Sequence, residues 1–108
     1  MELGGITWDH ERGYHPLIPV TERFCSAHPG VTITWTRRSL KDFGDLPVSR
    51  LAEKYDLIMV DHPFMAEALR EKILLVLNEY LEPAFLETLE RERIGQSLNC
   101  YCVDGFYQ

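Results

Sequence analysis

The chain has 108 residues, 45% of them apolar and 26% charged, ordinary proportions for one folded globular domain. Eleven basic residues against seventeen acidic ones leave a net charge of -6 with no basic cluster beyond Arg37-Arg38, which argues against nucleic acid as a partner. Three cysteines, Cys25, Cys100 and Cys102, are too few for a disulfide framework, and no window reaches the roughly 18 apolar residues of a membrane span.

Taken in chain order, the first apolar run is Leu3 to Trp8, and Asp9-His10 comes directly after it. Leu17, Val20, Phe24 and Ala27 fall on one stripe of a helix of about four turns, which His28-Pro29-Gly30 should end. Val31, Ile33 and Trp35 alternate with Thr32, Thr34 and Thr36, the period of a strand with one face less buried. Val48, Leu51, Ala52 and Tyr55 repeat a helical spacing, with Pro47 at a first-turn position. Leu57 to Val60 is continuously apolar, the pattern of a central strand covered on both faces, and Asp61-His62 succeeds it as Asp9-His10 succeeds the first run.

Beyond Pro63, Met65, Ala68 and Leu69 form a short stripe, and Ile73 to Leu77 reads as a fourth strand. Pro83 opens a last helix with Phe85, Leu86, Leu89 and Arg93 on one face and Gly95 as its stop. Cys100 to Val103 and Phe106-Tyr107 flank Asp104-Gly105, a hairpin signal, with Cys100 and Cys102 on one face of the first of these strands. The second has barely begun at Gln108, as expected of a piece of a longer protein.

Strands alternating with helices predict an α/β fold: a single domain over residues 1–108, with an open, mainly parallel sheet and helices on both faces. Ligands of such sheets bind beyond the carboxyl ends of the strands, where strand order reverses. If the first and third strands are neighbours, Asp9-His10 and Asp61-His62 share one crevice, rimmed by Arg12, Gly13, Arg38 and Ser39.

Three chemistries could use that rim. One is a metal site from the two Asp-His pairs with His15, although no HExxH or paired Cys/His spacing is present. Another is acid-base catalysis by an Asp against a His, although no Ser or Cys stands in a nucleophile elbow. The third is recognition without chemistry: Asp accepts from hydroxyls, Arg and His donate, and Trp8, Tyr14 or Trp35 offers a flat face to a pyranose. Beside all three stands the structural alternative, with Asp9 and Asp61 capping the next helices in the chain and both tryptophans in the core.

The stretches GITWDHERGYHPL, TRRSLKDFGDLPV and YDLIMVDHPFM resemble the amino-terminal region of a carbohydrate-type subgroup of the extracellular solute-binding proteins of ABC transporters, in order and spacing across nearly the whole chain. The resemblance implies part of the first lobe of a type II periplasmic-binding-protein fold, whose two lobes close on a ligand and present it to a membrane permease. It implies no catalysis and no cofactor, and a periplasmic or extracellular location. MELGGITWDHERG has neither the basic nor the long apolar region of an export signal, so as given the chain is expected to stay where it is made, the cytoplasm, unless a leader has been cut away. The resemblance further implies that Trp8, Asp9, His10, Arg12 and Gly13, and Asp61, His62, Pro63 and Phe64, occupy loops facing the cleft. Taken with the strand-end position of Arg38, the residues expected to contact a carbohydrate are Trp8, Asp9, His10, Arg12, Arg38, Asp61 and His62. Glu11 replaces a frequent Pro of similar sequences and Ala66 a frequent Gly. With no second lobe in the chain, self-association could cover the apolar surface left open. The alternatives are a metal-binding or hydrolytic module built on the Asp-His pairs, and a remnant that only interacts.

Overall fold

The computed structural model of this chain describes residues 1–42 and 45–108 with their side chains. The fold is mixed α/β, with a three-stranded parallel sheet flanked by helices. By its internal packing the chain divides into two compact units, Met1–Val60 and Asp61–Gln108.

The first unit holds the parallel sheet, in the order β2-β1-β3, with β1 at Glu2–Trp8, β2 at Thr32–Arg38 and β3 at Leu57–Ile58. The first strand, rather than the third, is therefore central. It pairs with β2 from Glu2↔Thr32 to Trp8↔Arg38, but with β3 only at Gly5↔Leu57 and Ile6↔Ile58. The shortness of β3 has a local cause at its start. The Gly4 amide, which would otherwise extend the ladder, donates to the Asp56 carboxylate at 2.8 Å.

Helices α1 (Glu11–Tyr14) and α2 (Leu17–Ala27) connect β1 to β2, and α3 (Leu40–Asp45) and α4 (Val48–Ala52) connect β2 to β3. Successive strand residues face opposite ways, and the two glycines of β1 show which helices lie on each side. A Cβ on Gly5 would stand 2.5 Å from the Trp35 ring, whose indole N–H donates to Thr21 of α2 at 2.9 Å. A Cβ on Gly4 would instead approach Tyr55, just past α4. Ile6 shares the Gly4 face, and it is buried, as are Val48 and Leu51 of α4. On the other face Leu3, Ile33, Trp35 and Leu57 line an apolar hollow with Leu17 and Phe24 of α2. The helical stripe predicted for residues 17–27 therefore does turn to the sheet, though Val20 remains 64% exposed.

The second unit has no parallel strand among its described residues. It comprises a 3-10 turn at His62–Phe64, α5 (Met65–Glu71), a 3-10 turn at Leu77–Glu79, α6 (Pro83–Glu92), a 3-10 turn at Ser97–Tyr101, and an antiparallel hairpin of β4 (Cys102–Val103) and β5 (Phe106–Tyr107). Met65 and Ala68 are its fully buried residues. The hairpin turns as predicted, with Asp104 and Gly105 at φ 52° and 85°, the two left-handed positions of a tight two-residue connection. Asn78 holds it, its amide donating to the Gly105 carbonyl and its oxygen accepting from the Tyr107 amide at 2.7 Å.

The run Ile73 to Leu77 is not a strand. Lys72 ends α5 in the left-handed conformation at φ 54°, and the Ile73 amide returns to the Ala68 carbonyl, so the chain leaves the helix in a tight reversal. Leu74, Leu75 and Val76 instead line a hollow of about 380 Å³ with Leu69 and Phe106. The cysteines also depart from expectation: Cys100 lies in the 3-10 turn and Cys102 in β4, so they do not alternate along one strand. Among the described residues no helix is long and apolar enough to cross a membrane.

Candidate functional site

The carboxyl end of β1 is extended by one further bond, from the Asp9 amide to the Arg38 carbonyl at 2.7 Å. The chain then turns, with the His10 amide on the Trp8 carbonyl and the Gly13 amide on the His10 carbonyl, both at 2.9 Å. His10 is the N-cap of α1: its backbone is extended, and its Nδ1 accepts from the Arg12 amide at 3.1 Å. Its ring stacks on the Trp8 indole, with centroids 4.3 Å apart and planes 13° from parallel.

Two contacts hold this loop from beneath. Thr7, fully buried, donates its hydroxyl to the Gly13 carbonyl at 2.7 Å. Gly13 itself lies so close under Trp8 that a Cβ there would stand 2.7 Å from the Trp8 carbonyl oxygen. No side chain fits without moving backbone, so the loop geometry depends on the absence of a Cβ.

Above the loop, Asp9, His10, Glu11, Tyr14, His15 and Arg37 line an open hollow of about 370 Å³. The Arg37 guanidinium stands 3.5 Å from the Asp9 carboxylate and 4.7 Å from the centre of the Tyr14 ring. The hollow thus combines two carboxylates, a guanidinium, two imidazoles and a phenol, donors and acceptors suited to a hydroxyl-rich molecule. Its volume is at the lower end of small-molecule sites, roughly 300 Å³ and upward.

The other residues named from the sequence have different surroundings. Trp8 gives one face to His10, and Arg12 stands 5.8 Å from its ring centre. Trp35 lies over Gly5. Of the three aromatics considered as sugar platforms, Tyr14 is the one that lines the polar hollow. Arg38 is buried and donates to the Asp42 carbonyl of α3 at 3.2 Å, fastening the end of β2 to the next helix. Ser39 caps that helix through its hydroxyl, which accepts from the Asp42 amide.

Asp61 and His62 are the first residues of the second unit, whereas Asp9 and His10 belong to the first. Asp61 is the N-cap of the 3-10 turn His62–Phe64 but makes no side-chain capping bond, and its carbonyl accepts from the Phe64 amide at 3.1 Å. Both residues are exposed. Among the described residues, no group of three or more His, Cys, Asp or Glu side chains could hold a metal ion.

Glu11 and Arg37 were not anticipated as site residues. For Arg37 the signal was present: it has the parity of Ile33 and Trp35, and so shares their face of β2. Comparison of the chain with protein families, with curated proteins and with solved structures gives no match.

Proposed function

We propose that the chain is the amino-terminal part of the first lobe of an extracellular solute-binding protein of an ABC transporter, and that it binds a sugar or a similar polar small molecule without catalysing a reaction. The observation that carries this reading is the polar hollow at the carboxyl end of β1, lined by Asp9, His10, Glu11, Tyr14, His15 and Arg37. In the order β2-β1-β3 the chain leaves β1 to one side for β2 and returns to its other side for β3, so β1 stands at the switch in strand order where open parallel sheets bind ligands. The motif WDHERGY, on which the family resemblance partly rests, supplies four of the six lining residues in consecutive turns of chain. In that role the bound molecule is handed to a membrane permease and the protein works outside the cytoplasm.

Such a hollow, open on one side, calls for weak binding, on the order of millimolar, or about -4 kcal/mol. Titration of the nitrogen-15-labelled chain with glucose, maltose, xylose and galactose should give saturable amide shifts at Asp9, His10, Tyr14 and Arg37. If none of these sugars shifts those amides, the carbohydrate reading is wrong.

A further inference from the structure

An imidazole has two nitrogens, and the fold engages one of those of His10. Its Nδ1 accepts the Arg12 amide hydrogen at 3.1 Å, and the parallel stack on Trp8 at 4.3 Å holds the ring plane. A nitrogen that accepts from an amide carries no proton of its own, so the neutral ring must carry its proton on Nε2. The cap therefore does more than close a helical turn. It fixes the tautomer of a side chain that also lines the polar hollow.

We infer that His10 is a specificity-determining residue of this site, its Nδ1 locked by the Arg12 amide so that its Nε2–H is presented as a hydrogen-bond donor to an oxygen of the ligand. The inference rests on the sugar-binding reading and names the polarity required at one point of the hollow. The ligand atom there is a hydroxyl, ring or carbonyl oxygen. An ammonium group placed there would set donor against donor, so a sugar carrying an amine in that position is disfavoured. The neighbouring groups complete the pattern: Asp9 and Glu11 accept, while Arg37, 3.5 Å from the Asp9 carboxylate, donates.

Capping and ligand contact can be separated in one residue. Asparagine is as good an N-cap as any side chain, because its amide oxygen accepts the same backbone hydrogen. His10→Asn therefore keeps the cap and removes the Nε2–H, together with the stack on Trp8. Glucose, maltose, xylose and galactose are titrated into the wild-type chain and into His10→Asn, with long-range nitrogen-proton correlations recorded for the wild-type ring. The inference expects a bare Nδ1 and a protonated Nε2, a ligand-induced shift of Nε2, and about tenfold weaker binding by the variant, the loss of one hydrogen bond. Equal binding by both chains overturns it and leaves the sugar-binding reading standing, since His10 would then only cap. A proton on Nδ1 also overturns it. If no sugar binds even the wild-type chain, the sugar-binding reading falls and the inference falls with it. Should His10→Asn fail to fold, the Nε2 shift of the wild-type ring decides, and a ring unmoved by a bound sugar overturns the inference.

Discussion

Asp9-His10 and Asp61-His62 are the same dipeptide, and they do different work because their downstream neighbours differ. In the first pair the histidine takes the cap position, and two residues on stands Arg12, whose amide it captures. In the second the aspartate takes the cap position, and two residues on stands Pro63, which has no amide to offer. The next amide, that of Phe64, is already bonded to the Asp61 carbonyl. A carboxylate that is otherwise a preferred N-cap therefore caps nothing through its side chain. The frame differs as well: Thr7 and Gly13 brace the first loop from inside the first unit. A local motif predicts a local role only when its neighbours supply the partners.

The largest test breaks the frame of the first pair. Gly13→Ala places a methyl 2.7 Å from a backbone oxygen and 3.2 Å from the Trp8 Cβ, in a buried position. Neither neighbour is the free end of a flexible chain, so the loop must move. A loss of about 2 to 3 kcal/mol is expected in denaturant unfolding monitored by Trp8 and Trp35 fluorescence. Glycine at position 66 asks the converse question in the second unit, where Ala66 is exposed in the first turn of α5. An Ala66→Gly variant should lose only about the helix propensity of one residue, about 1 kcal/mol. If Gly13→Ala costs no more than Ala66→Gly, the first loop is not the constrained one.

These contrasts also show how much of the molecule could be read from its residues. The alternation of β2, the stripe of α2 and the Asp104-Gly105 turn were legible because each is a short-range pattern with one geometric solution. The apolar run Ile73 to Leu77 was misleading for the same reason: four or five apolar residues fit a strand or a hollow equally well, and only the reversal at Lys72 decides. The shortness of β3 was hidden because it involves a side-chain bond, from the Gly4 amide to the Asp56 carboxylate, that no periodicity carries. At the site, Asp9 and His10 were visible as residue types at a strand end. That the cap is His10 required the local geometry of the turn, in which its Nδ1 reaches the Arg12 amide. Arg37, by contrast, could have been read from its parity with Ile33 and Trp35, opposite to that of Arg38.

A second test compares the two histidines directly. His10→Ala removes a side-chain cap, worth about 1 kcal/mol, and its stack on Trp8. His62→Ala removes an exposed side chain from a turn with no side-chain cap and should change stability by less than about 0.5 kcal/mol. Urea unfolding of the two variants under one set of conditions reads the difference. Equal effects would mean that the cap at His10 contributes nothing beyond ordinary surface contact.

The smallest effect concerns the charge pair of the first site. The Asp9 carboxylate and the Arg37 guanidinium are 3.5 Å apart, but their side chains keep 56% and 52% of their exposure. An ion pair in that setting is worth about 0.5 kcal/mol or less, because water screens it and two side chains lose freedom in forming it. The loop does not depend on it either, since the Asp9 amide is held separately by the Arg38 carbonyl. A double-mutant cycle with Asp9→Asn and Arg37→Gln should accordingly return a coupling below about 0.5 kcal/mol, vanishing near 1 M salt, where charges are screened beyond about 3 Å. A coupling of about 2 kcal/mol that survives salt would mean that the pair is part of the scaffold. A small one leaves both groups free to exchange each other for the hydroxyls of a ligand, which is what a binding site, and not a brace, requires of them.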